Sequence, residues 1–154
     1  MNYLQLCLLL AVVKLTLQRH IGELVCRRCG ATVTNQAQLM NVSNVDNSYV
    51  VYGYDFGLVG QSTKVNVLKN GAGGKFHVFG SKSASLTVDS KMETYDTWFP
   101  EMHWMVCFCK ACKRHLGWFF QPETQRTGKS SFYGLILDRL ISAEYTETLT
   151  RVPV

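Results

Sequence analysis

Short runs in which apolar and polar residues alternate fill the middle of the chain. β-branched and aromatic residues recur in them at every second position, which is the period of a strand that buries one face. The runs are 48–52, 64–68, 75–79 and 85–88, followed by the apolar blocks 117–120 and 132–137. Turn residues separate them at Gly53, Gly57, Gly60, 70–74 and 80–81. This pattern predicts an all-β fold of antiparallel sheets, with a helix only at 35–40 and a turn at 137–143.

The N-terminal segment departs from this alternation. Residues 3–13 are apolar except for Gln5, a run that is too short to span a membrane but suits the apolar region of a secretory signal peptide. No Lys or Arg precedes the run, and no small-x-small cleavage site stands between Thr16 and Val25. A strand or a core helix packed on the domain is therefore the alternative.

This segment decides the expected domain organisation and localisation. We expect residues 1–18 to be a signal peptide, which would take Cys7 with it, and residues 19–154 to be one secreted domain. The triplet Asn41-Val42-Ser43 is an acceptor for N-glycosylation, which fits an exported chain.

Composition narrows the possible partners. The chain has 154 residues, of which 47% are apolar and 18% charged, so it can bury a core without disulfides. Its net charge is +5, and the Lys and Arg residues are scattered except beside the cysteines. Neither a nucleic-acid partner nor a membrane span is predicted.

Two Cys-x-x-Cys motifs carry the clearest chemistry, Cys26 with Cys29 and Cys109 with Cys112. Such a turn can direct two thiolates at one metal ion, and Gly30 permits the tight backbone of the first turn. Four thiolates complete a tetrahedral site and leave no position for water, so one zinc ion would be structural rather than catalytic. The long interval between the motifs predicts that this ion pins the two ends of a sheet domain.

Basic residues crowd both motifs: Arg27, Arg28, Lys110, Lys113 and Arg114. Neighbouring cations lower the pKa of thiols and offset the charge of about −2 that four thiolates leave on Zn²⁺. The alternatives are disulfides, in an exported chain, or a redox-active pair of cysteines.

Aromatic residues are concentrated around the second motif. All three tryptophans lie there, Trp98 and Trp104 in the segment 96–104 and Trp118 in the segment 115–120. Clustered tryptophans commonly form a core. However, Trp98 precedes Phe-Pro, which favours an extended loop, and the spacing fits neither a strand nor a helix. Indoles from a loop and a strand would form an apolar box that binds a flat ligand through its faces.

The order of these motifs resembles a known family, the CULT domain, which is the thalidomide-binding domain of cereblon and of its bacterial and secreted animal relatives. The motifs are Cys-x-x-Cys-Gly, Trp-Phe-Pro-x-x-x-Trp, Cys-x-x-Cys-x-x-His-Leu-Gly-Trp-x-Phe and Phe-Tyr-Gly-Leu, which together cover roughly Leu24 to Ser142. The set is highly specific, although no single motif is. The resemblance implies a β-tent fold, in which two antiparallel sheets meet at an angle and one zinc ion on the four cysteines holds them.

The resemblance also implies a ligand site. Trp98, Trp104 and Trp118 would form the three walls of an aromatic cage, with Phe120 at its base. In the family a cyclic imide such as glutarimide enters this cage. The expected partner is therefore a small molecule with a cyclic imide or a similar planar ring.

Residues at the rim of the cage follow from the same resemblance. The imide would bond mainly to backbone groups at Asp96 and Trp98, Asn70 would help to cover it, and His77 would correspond to a histidine just beyond. Asp96 stands where cereblon has histidine, and its carboxylate would alter the preference for charged ligands.

The expected function is thus ligand binding without catalysis. The chain lacks the regions through which cereblon joins a ubiquitin ligase, so a receptor role in a ligase is not expected. One alternative is an enzyme that resembles methionine-R-sulfoxide reductase, with Cys107 as nucleophile or paired with His103 or His115. If the chain is instead a binding domain, we expect Cys107 to be a buried thiol and His115 to support the zinc turn by a hydrogen bond to a ligand sulfur. The other alternative is a structural or protein-interaction domain in which the tryptophans form the core.

Overall fold

The computed structural model describes residues 2–18 and 22–149 of the chain. Over those residues it contains two α-helices and eleven strands. In chain order they are α1 (Tyr3–Gln18), β1 (Glu23–Cys26), β2 (Thr32–Asn35), β3 (Leu39–Met40), β4 (Val50–Leu58), β5 (Gln61–Lys69), β6 (Lys75–Ser81), β7 (Leu86–Val88), β8 (Met102–Cys109), β9 (His115–Pro122), β10 (Phe132–Ile136), β11 (Leu140–Ser142) and α2 (Ala143–Leu149).

The strands form two antiparallel sheets, which confirms the predicted fold class. The small sheet has the order β11-β1-β2. The large sheet has the order β4-β5-β6-β10-β9-β8-β7, with β3 paired to β6. The first and last strands of the domain are neighbours in the small sheet, where Leu24 pairs with Ser142 and Cys26 with Leu140. The large sheet carries the aromatic segments.

The core consists of two groups of buried side chains. The first, which we call the cysteine core, is mostly Leu and Val and includes Cys26, Cys107 and Cys109. The second, the aromatic core, contains Trp98, Phe99, Trp118, Phe120 and Phe132 among its buried members. Adjacent residues of β6 and β10 divide between the groups, Phe79 and Leu135 in the first and Val78 and Ile136 in the second, so the two groups lie on opposite faces of the large sheet.

Two details of the predicted strands are wrong. Gly53 and Gly57 lie inside β4, and the chain turns instead at Val59 and Gly60, which have φ of 45° and 80°. β4 is an edge strand whose residues are mostly exposed, so a glycine without a side chain creates no cavity in the core there. Strand β8, which contains Trp104, was not among the predicted strands. Residues on both faces of β8 are at least partly buried, so its sequence lacks the alternation of apolar and polar residues by which a strand is predicted.

The predicted helix at 35–40 is a short 3₁₀ turn at Gln36–Gln38. Asn35 caps this turn by accepting a hydrogen bond from the N–H of Ala37, and Leu39 returns at once to an extended backbone. The turn expected at 137–143 is a 3₁₀ turn at Leu137–Arg139 followed by β11, and the helix α2 after it was not predicted.

The N-terminal apolar segment is the helix α1 and not a strand. Its side chains at Tyr3, Leu4, Leu6, Leu8, Leu9 and Leu10 are exposed, so this part of the helix is not part of the core. In the part of the chain that the structure describes, no helix is long and apolar enough to cross a membrane. The expected boundary between residues 18 and 19 adjoins residues 19–21, which lie outside the described residues.

Candidate functional site

The four predicted metal ligands come together at one point. Their Sγ atoms all lie within 4.8 Å of one another. Those of Cys29 and Cys109 are 3.5 Å apart, and those of Cys26 and Cys112 are 3.7 Å apart. Sulfurs in a tetrahedral zinc site are about 3.8 Å apart, whereas those of a disulfide are about 2.05 Å apart. The geometry therefore fits one zinc ion on four thiolates and not two disulfides.

A metal ion at this point would join the two sheets. Cys26 is the last residue of β1 in the small sheet, and Cys109 is the last residue of β8 in the large sheet. Arg27 strengthens the same end by donating from Nη2 to the carbonyl of Leu140 at 3.2 Å. With all four positions taken by sulfur, the ion would have no site for a substrate or water, so its contribution would be to stability.

The two Cys-x-x-Cys turns share one backbone design. In the first, the N–H of Gly30 donates to the carbonyl of Cys26 at 2.8 Å, and in the second the N–H of Lys113 donates to the carbonyl of Cys109 at 3.0 Å. Gly30 and Lys113 occupy the equivalent position and have φ of 75° and 60°. Glycine adopts this left-handed conformation freely, but a side chain makes it unfavourable. The second turn therefore holds a strained residue.

Backbone groups of the second turn favour a thiolate. Burial raises the pKa of Cys109, but the backbone N–H groups of Cys112 and Ala111, together with the thiols of Cys29 and Cys112, lower it to about 7. A metal ligand must be deprotonated, and these backbone N–H groups favour the thiolate form of Cys109.

A second feature is a cavity of about 210 Å³ next to the aromatic core. All the residues predicted to bind the ligand line it: Asn70, Asp96, Trp98, Trp104, Trp118 and Phe120. Gly71, Ala72 and Tyr95 complete the lining. Pockets for drug-sized ligands usually measure about 300–1,000 Å³, so this cavity suits a smaller, compact ring. We call it the cage cavity, and the three tryptophans the aromatic cage.

The walls of the cage come from one loop and two strands. Trp98 lies in the loop before β8, Trp104 lies in β8, and Trp118 lies in β9. The rings of Trp98 and Trp118 meet edge to face, with centroids 4.7 Å apart and an angle of 72° between their planes. Both side chains are buried, while Trp104 is half-buried at the cavity. Phe120 packs beneath them, 6.4 Å from the centroid of Trp98.

Hydrogen bonds to the backbone fix two of the indoles. Nε1 of Trp98 donates to the carbonyl of Lys69 at 2.8 Å, and Nε1 of Trp104 donates to the carbonyl of Tyr95 at 2.8 Å. Each indole N–H is thereby satisfied by the protein. A ligand would therefore meet the π-faces of these rings rather than their N–H groups.

His115 was expected to form a hydrogen bond with a zinc-ligand sulfur, but it supports the aromatic cage instead. Its ring lies 4.6 Å from Trp118 at 86°. Nη1 of Arg139 donates to Nδ1 of His115 at 3.0 Å, so Nε2 carries the proton and donates to the carbonyl of Gly117 at 3.0 Å. Burial and the charge of Arg139 lower the pKa of His115 to about 4, which keeps it neutral.

Two residues at the cage cavity were not predicted from the sequence to belong to the site. Phe76 packs behind the cage, with centroid distances of 5.1 Å to Trp118 and 6.2 Å to Trp98. Tyr95 lines the cavity and lies 6.4 Å from Trp104. The alternation along β6 placed Phe76 on the opposite face from His77, and this was the signal that could have found it.

The loop 70–74 between β5 and β6 closes one side of the cavity. Asn70 fixes its shape, because Oδ1 of Asn70 accepts from the N–H of Gly74 at 2.7 Å. Gly71 lies so close to Asp96 that a Cβ there would be 2.9 Å from Oδ2 of that carboxylate. Asp96 has a φ of 48°, and its Oδ1 accepts a hydrogen bond from the hydroxyl of Tyr49 at 3.4 Å.

Three other candidate residues lie away from the cage cavity. His77 points to the other face of β6, where its Nδ1 lies 2.7 Å from the hydroxyl of Tyr54, and it does not line the cage cavity. Nε2 of His103 lies 3.8 Å from a carboxylate oxygen of Glu123. Cys107 is fully buried, and burial raises the pKa of its thiol to about 12.

Comparison with known proteins gives one consistent set of relatives. The chain is 30% identical to cereblon from Gallus gallus over 67 residues, 41% of this chain and 15% of that protein. It is 28% identical to cereblon from Danio rerio over 60 residues, 39% of this chain and 14% of that protein. The chain thus spans only about a seventh of these relatives by this match. No protein-family model matches. The relatives agree with the family that the motifs resemble.

Proposed function

We propose that this chain is a secreted, non-enzymatic binding module whose aromatic cage takes the planar ring of a cyclic imide. The observation that carries the proposal is the cage cavity itself, in which three indoles from separate elements surround about 210 Å³ of space. Tryptophans that served only as core would be covered by other side chains, whereas all three of these line a space that a ligand can enter.

The backbone at the rim supports this ligand class. Among the described residues, neither the carbonyl of Asp96 nor the N–H of Trp98 takes part in a backbone hydrogen bond. One acceptor and one donor two residues apart match the N–H and C=O of an imide edge. The cage would supply van der Waals contact through its faces, and these two groups would supply orientation.

The environment of Cys107 does not favour an enzyme. A nucleophilic thiol must be accessible and partly ionised near neutral pH, whereas Cys107 is buried with a pKa raised to about 12. The zinc site, with four sulfur ligands, offers no open position either. Binding is therefore the function that the two sites support best, with zinc as the structural cofactor.

Titration with glutarimide, followed by tryptophan fluorescence, tests the proposal. Since all three tryptophans line the cavity, a bound ring should quench the emission in a saturable way. N-methylglutarimide is the matched control ligand, because it keeps the ring but loses the imide N–H, and it should bind at least tenfold more weakly. Absence of a saturable change in folded, zinc-loaded protein would contradict imide binding.

Two variants separate the cage from general packing. Trp118→Ala removes a cage wall, whereas Phe119→Ala removes the adjacent ring, which packs on Tyr133 at 4.9 Å and does not line the cavity. We expect loss of binding with the first variant and an affinity within twofold of the original with the second. Equal losses in two folded variants would favour a purely structural role for the tryptophans.

Secretion, with residues 1–18 as the signal peptide, has its own test. The exposed apolar side chains of α1 support removal of this segment, because such a surface is costly to leave in water. Expression of the full chain in cultured animal cells should yield protein in the medium whose N-terminus lies near residue 19. Intracellular protein that retains the first residues would contradict this assignment.

A further inference from the structure

The cage cavity carries one charged side chain. Among its nine lining residues, all of them within the described part of the chain, Asp96 is the one whose side chain is a charged group. The other lining residues offer aromatic rings, the hydroxyl of Tyr95, an amide, a methyl group or a bare backbone. The cavity is therefore a set of π-faces with a single carboxylate beside it.

The carboxylate of Asp96 lies at the rim, where two loops meet. The loop 70–74 passes against it at Gly71, and the hydroxyl of Tyr49 bonds its other oxygen at 3.4 Å, a long distance for such a bond. Within residues 2–18 and 22–149, no Lys or Arg forms an ion pair with Asp96. Its negative charge is thus left without a protein cation.

Aromatic faces surround the same rim. Tyr95, the residue before Asp96, is 59% exposed and lies 6.4 Å from Trp104 at an angle of 71°. The N–H of Trp104 is bonded to the backbone, so this indole contributes its ring and no free donor to the cavity. Aromatic faces and a carboxylate both attract a cation, and both disfavour an anion.

We propose that the cage selects a ring that carries a positive charge, and that Asp96 is the residue that determines this specificity. The inference rests on the proposed function, since it names the class of ligand for the same cavity. The ring would lie between the indoles, and its cationic substituent would point to the rim between Asp96 and Tyr95. A neutral ring would lose the contribution of the carboxylate.

A pair of ligands with the same shape and different charge tests this inference. One is glutarimide with a trimethylammonium group at carbon 3, and the other carries a tert-butyl group there. The trimethylammonium charge does not depend on pH. Two unit charges about 5 Å apart in a water-like medium attract enough to change affinity about fourfold, and cation–π attraction adds to this. We expect the cationic ligand to bind the original protein about fourfold to tenfold more tightly.

Asp96→Asn is the decisive variant. Asparagine keeps the shape of the side chain and tolerates the positive φ of this position, so folding should be unaffected. We expect the ratio of the two affinities to fall about fourfold, through weaker binding of the cationic ligand alone. Asp46→Asn is the matched control, because Asp46 also lies near Tyr49 but does not line the cavity, and it should leave the ratio within twofold.

The outcomes separate this inference from the proposed function. If both ligands bind equally, or if Asp96→Asn leaves the ratio unchanged, charge selection is wrong and imide binding stands. If neither these ligands nor glutarimide itself binds the folded protein, both are wrong. Raising the salt concentration should lower the ratio of the two affinities in the original protein, because salt screens the attraction between the exposed carboxylate and the cationic ligand. The ratio in Asp96→Asn should not change, because asparagine carries no charge.

Discussion

The hairpin of β8 and β9 contributes residues to both sites of the molecule, and its two parts are stabilised differently. At its turn, Cys109 and Cys112 meet the first cysteine motif, with all sulfurs within 4.8 Å and no large ring among the ligands. Along its body, Trp104 pairs with Phe120 and Val106 with Trp118. At the turn a metal ion would add to the Leu and Val packing of the cysteine core, whereas the body packs through the rings of the aromatic core.

This contrast indicates that the zinc turn serves stability and the cage serves binding. The turn is closed, because four thiolates occupy every position of a tetrahedral ion. The body keeps a cavity of about 210 Å³ beside buried rings. Removal of zinc should therefore damage the fold, and changes in the cage should damage binding with a smaller effect on the fold.

The largest effect is expected at the turn. Cys109→Ser should abolish binding of zinc and the cooperative unfolding transition, because structural zinc contributes about 10–16 kcal/mol, as much as the whole stability of a domain. Zinc content by mass spectrometry and thermal unfolding measure both. Cys107→Ser is the matched control, buried nearby but not a ligand, and it should keep one zinc ion per chain. Retained zinc in Cys109→Ser would show that the ligand set is wrong.

The next largest effect is a difference in stability between a buried and a half-buried tryptophan of the cage. Trp118 is 7% exposed, so Trp118→Ala should lower the free energy of unfolding by about 3–5 kcal/mol. Trp104→Ala should cost about 1–2 kcal/mol, since Trp104 is half-buried. Both should weaken binding of glutarimide at least tenfold. Chemical denaturation and calorimetric titration test this, and equal stability losses would remove the distinction between core and rim.

His115 makes the aromatic part sensitive to pH. Unfolded His115 binds a proton near pH 6.5, whereas in the folded chain its pKa is about 4. The unfolded state therefore holds more protons between these values, and stability falls as the pH is lowered from about 6.5 to 4. Because His115 is partly exposed, we expect a loss on the order of 1–2 kcal/mol.

His115→Gln provides the comparison for that pH effect. Loss of zinc at low pH affects both proteins equally, so the difference between their pH profiles isolates the histidine. We expect the variant to be less stable at pH 7 and to lose less stability on acidification. Parallel profiles in denaturant titrations would show that the ring does not titrate as described.

The smallest effect compares the two cysteine turns. Lys113→Gly should raise the free energy of unfolding by up to about 1 kcal/mol, because it relieves the positive φ of 60°. Gly30→Ala should lower it by about 1 kcal/mol, purely through the backbone, since a Cβ there would meet nothing within 4 Å. Changes of the same sign in zinc-loaded protein would contradict the equivalence of the two turns.

The zinc site could be predicted from the sequence because its ligands follow a local rule. Each Cys-x-x-Cys turn places two sulfurs together by itself, so only the meeting of the turns depended on the fold. The strands 64–68 and 75–79 were predictable for a similar reason, since each buries one face. Strand β8 was missed because neighbours cover both of its faces.

The cage was predictable only through the resemblance to a family. Spacing alone could not bring Trp98, Trp104 and Trp118 together, because they come from a loop and two strands whose register is set by long-range pairing. Hydrogen bonds that orient the indoles, such as the one from Trp98 to the carbonyl of Lys69, involve backbone atoms and leave no trace in the sequence. The role of His115 depended in the same way on Arg139.

A crystal structure of the zinc-loaded protein with bound glutarimide is the most direct test of the central claim. We predict that the ring lies between Trp98, Trp104 and Trp118, that the imide bonds to the carbonyl of Asp96 and the N–H of Trp98, and that zinc is bound by the four cysteines. An empty cage at saturating glutarimide, or a ring bound elsewhere on the molecule, would contradict it.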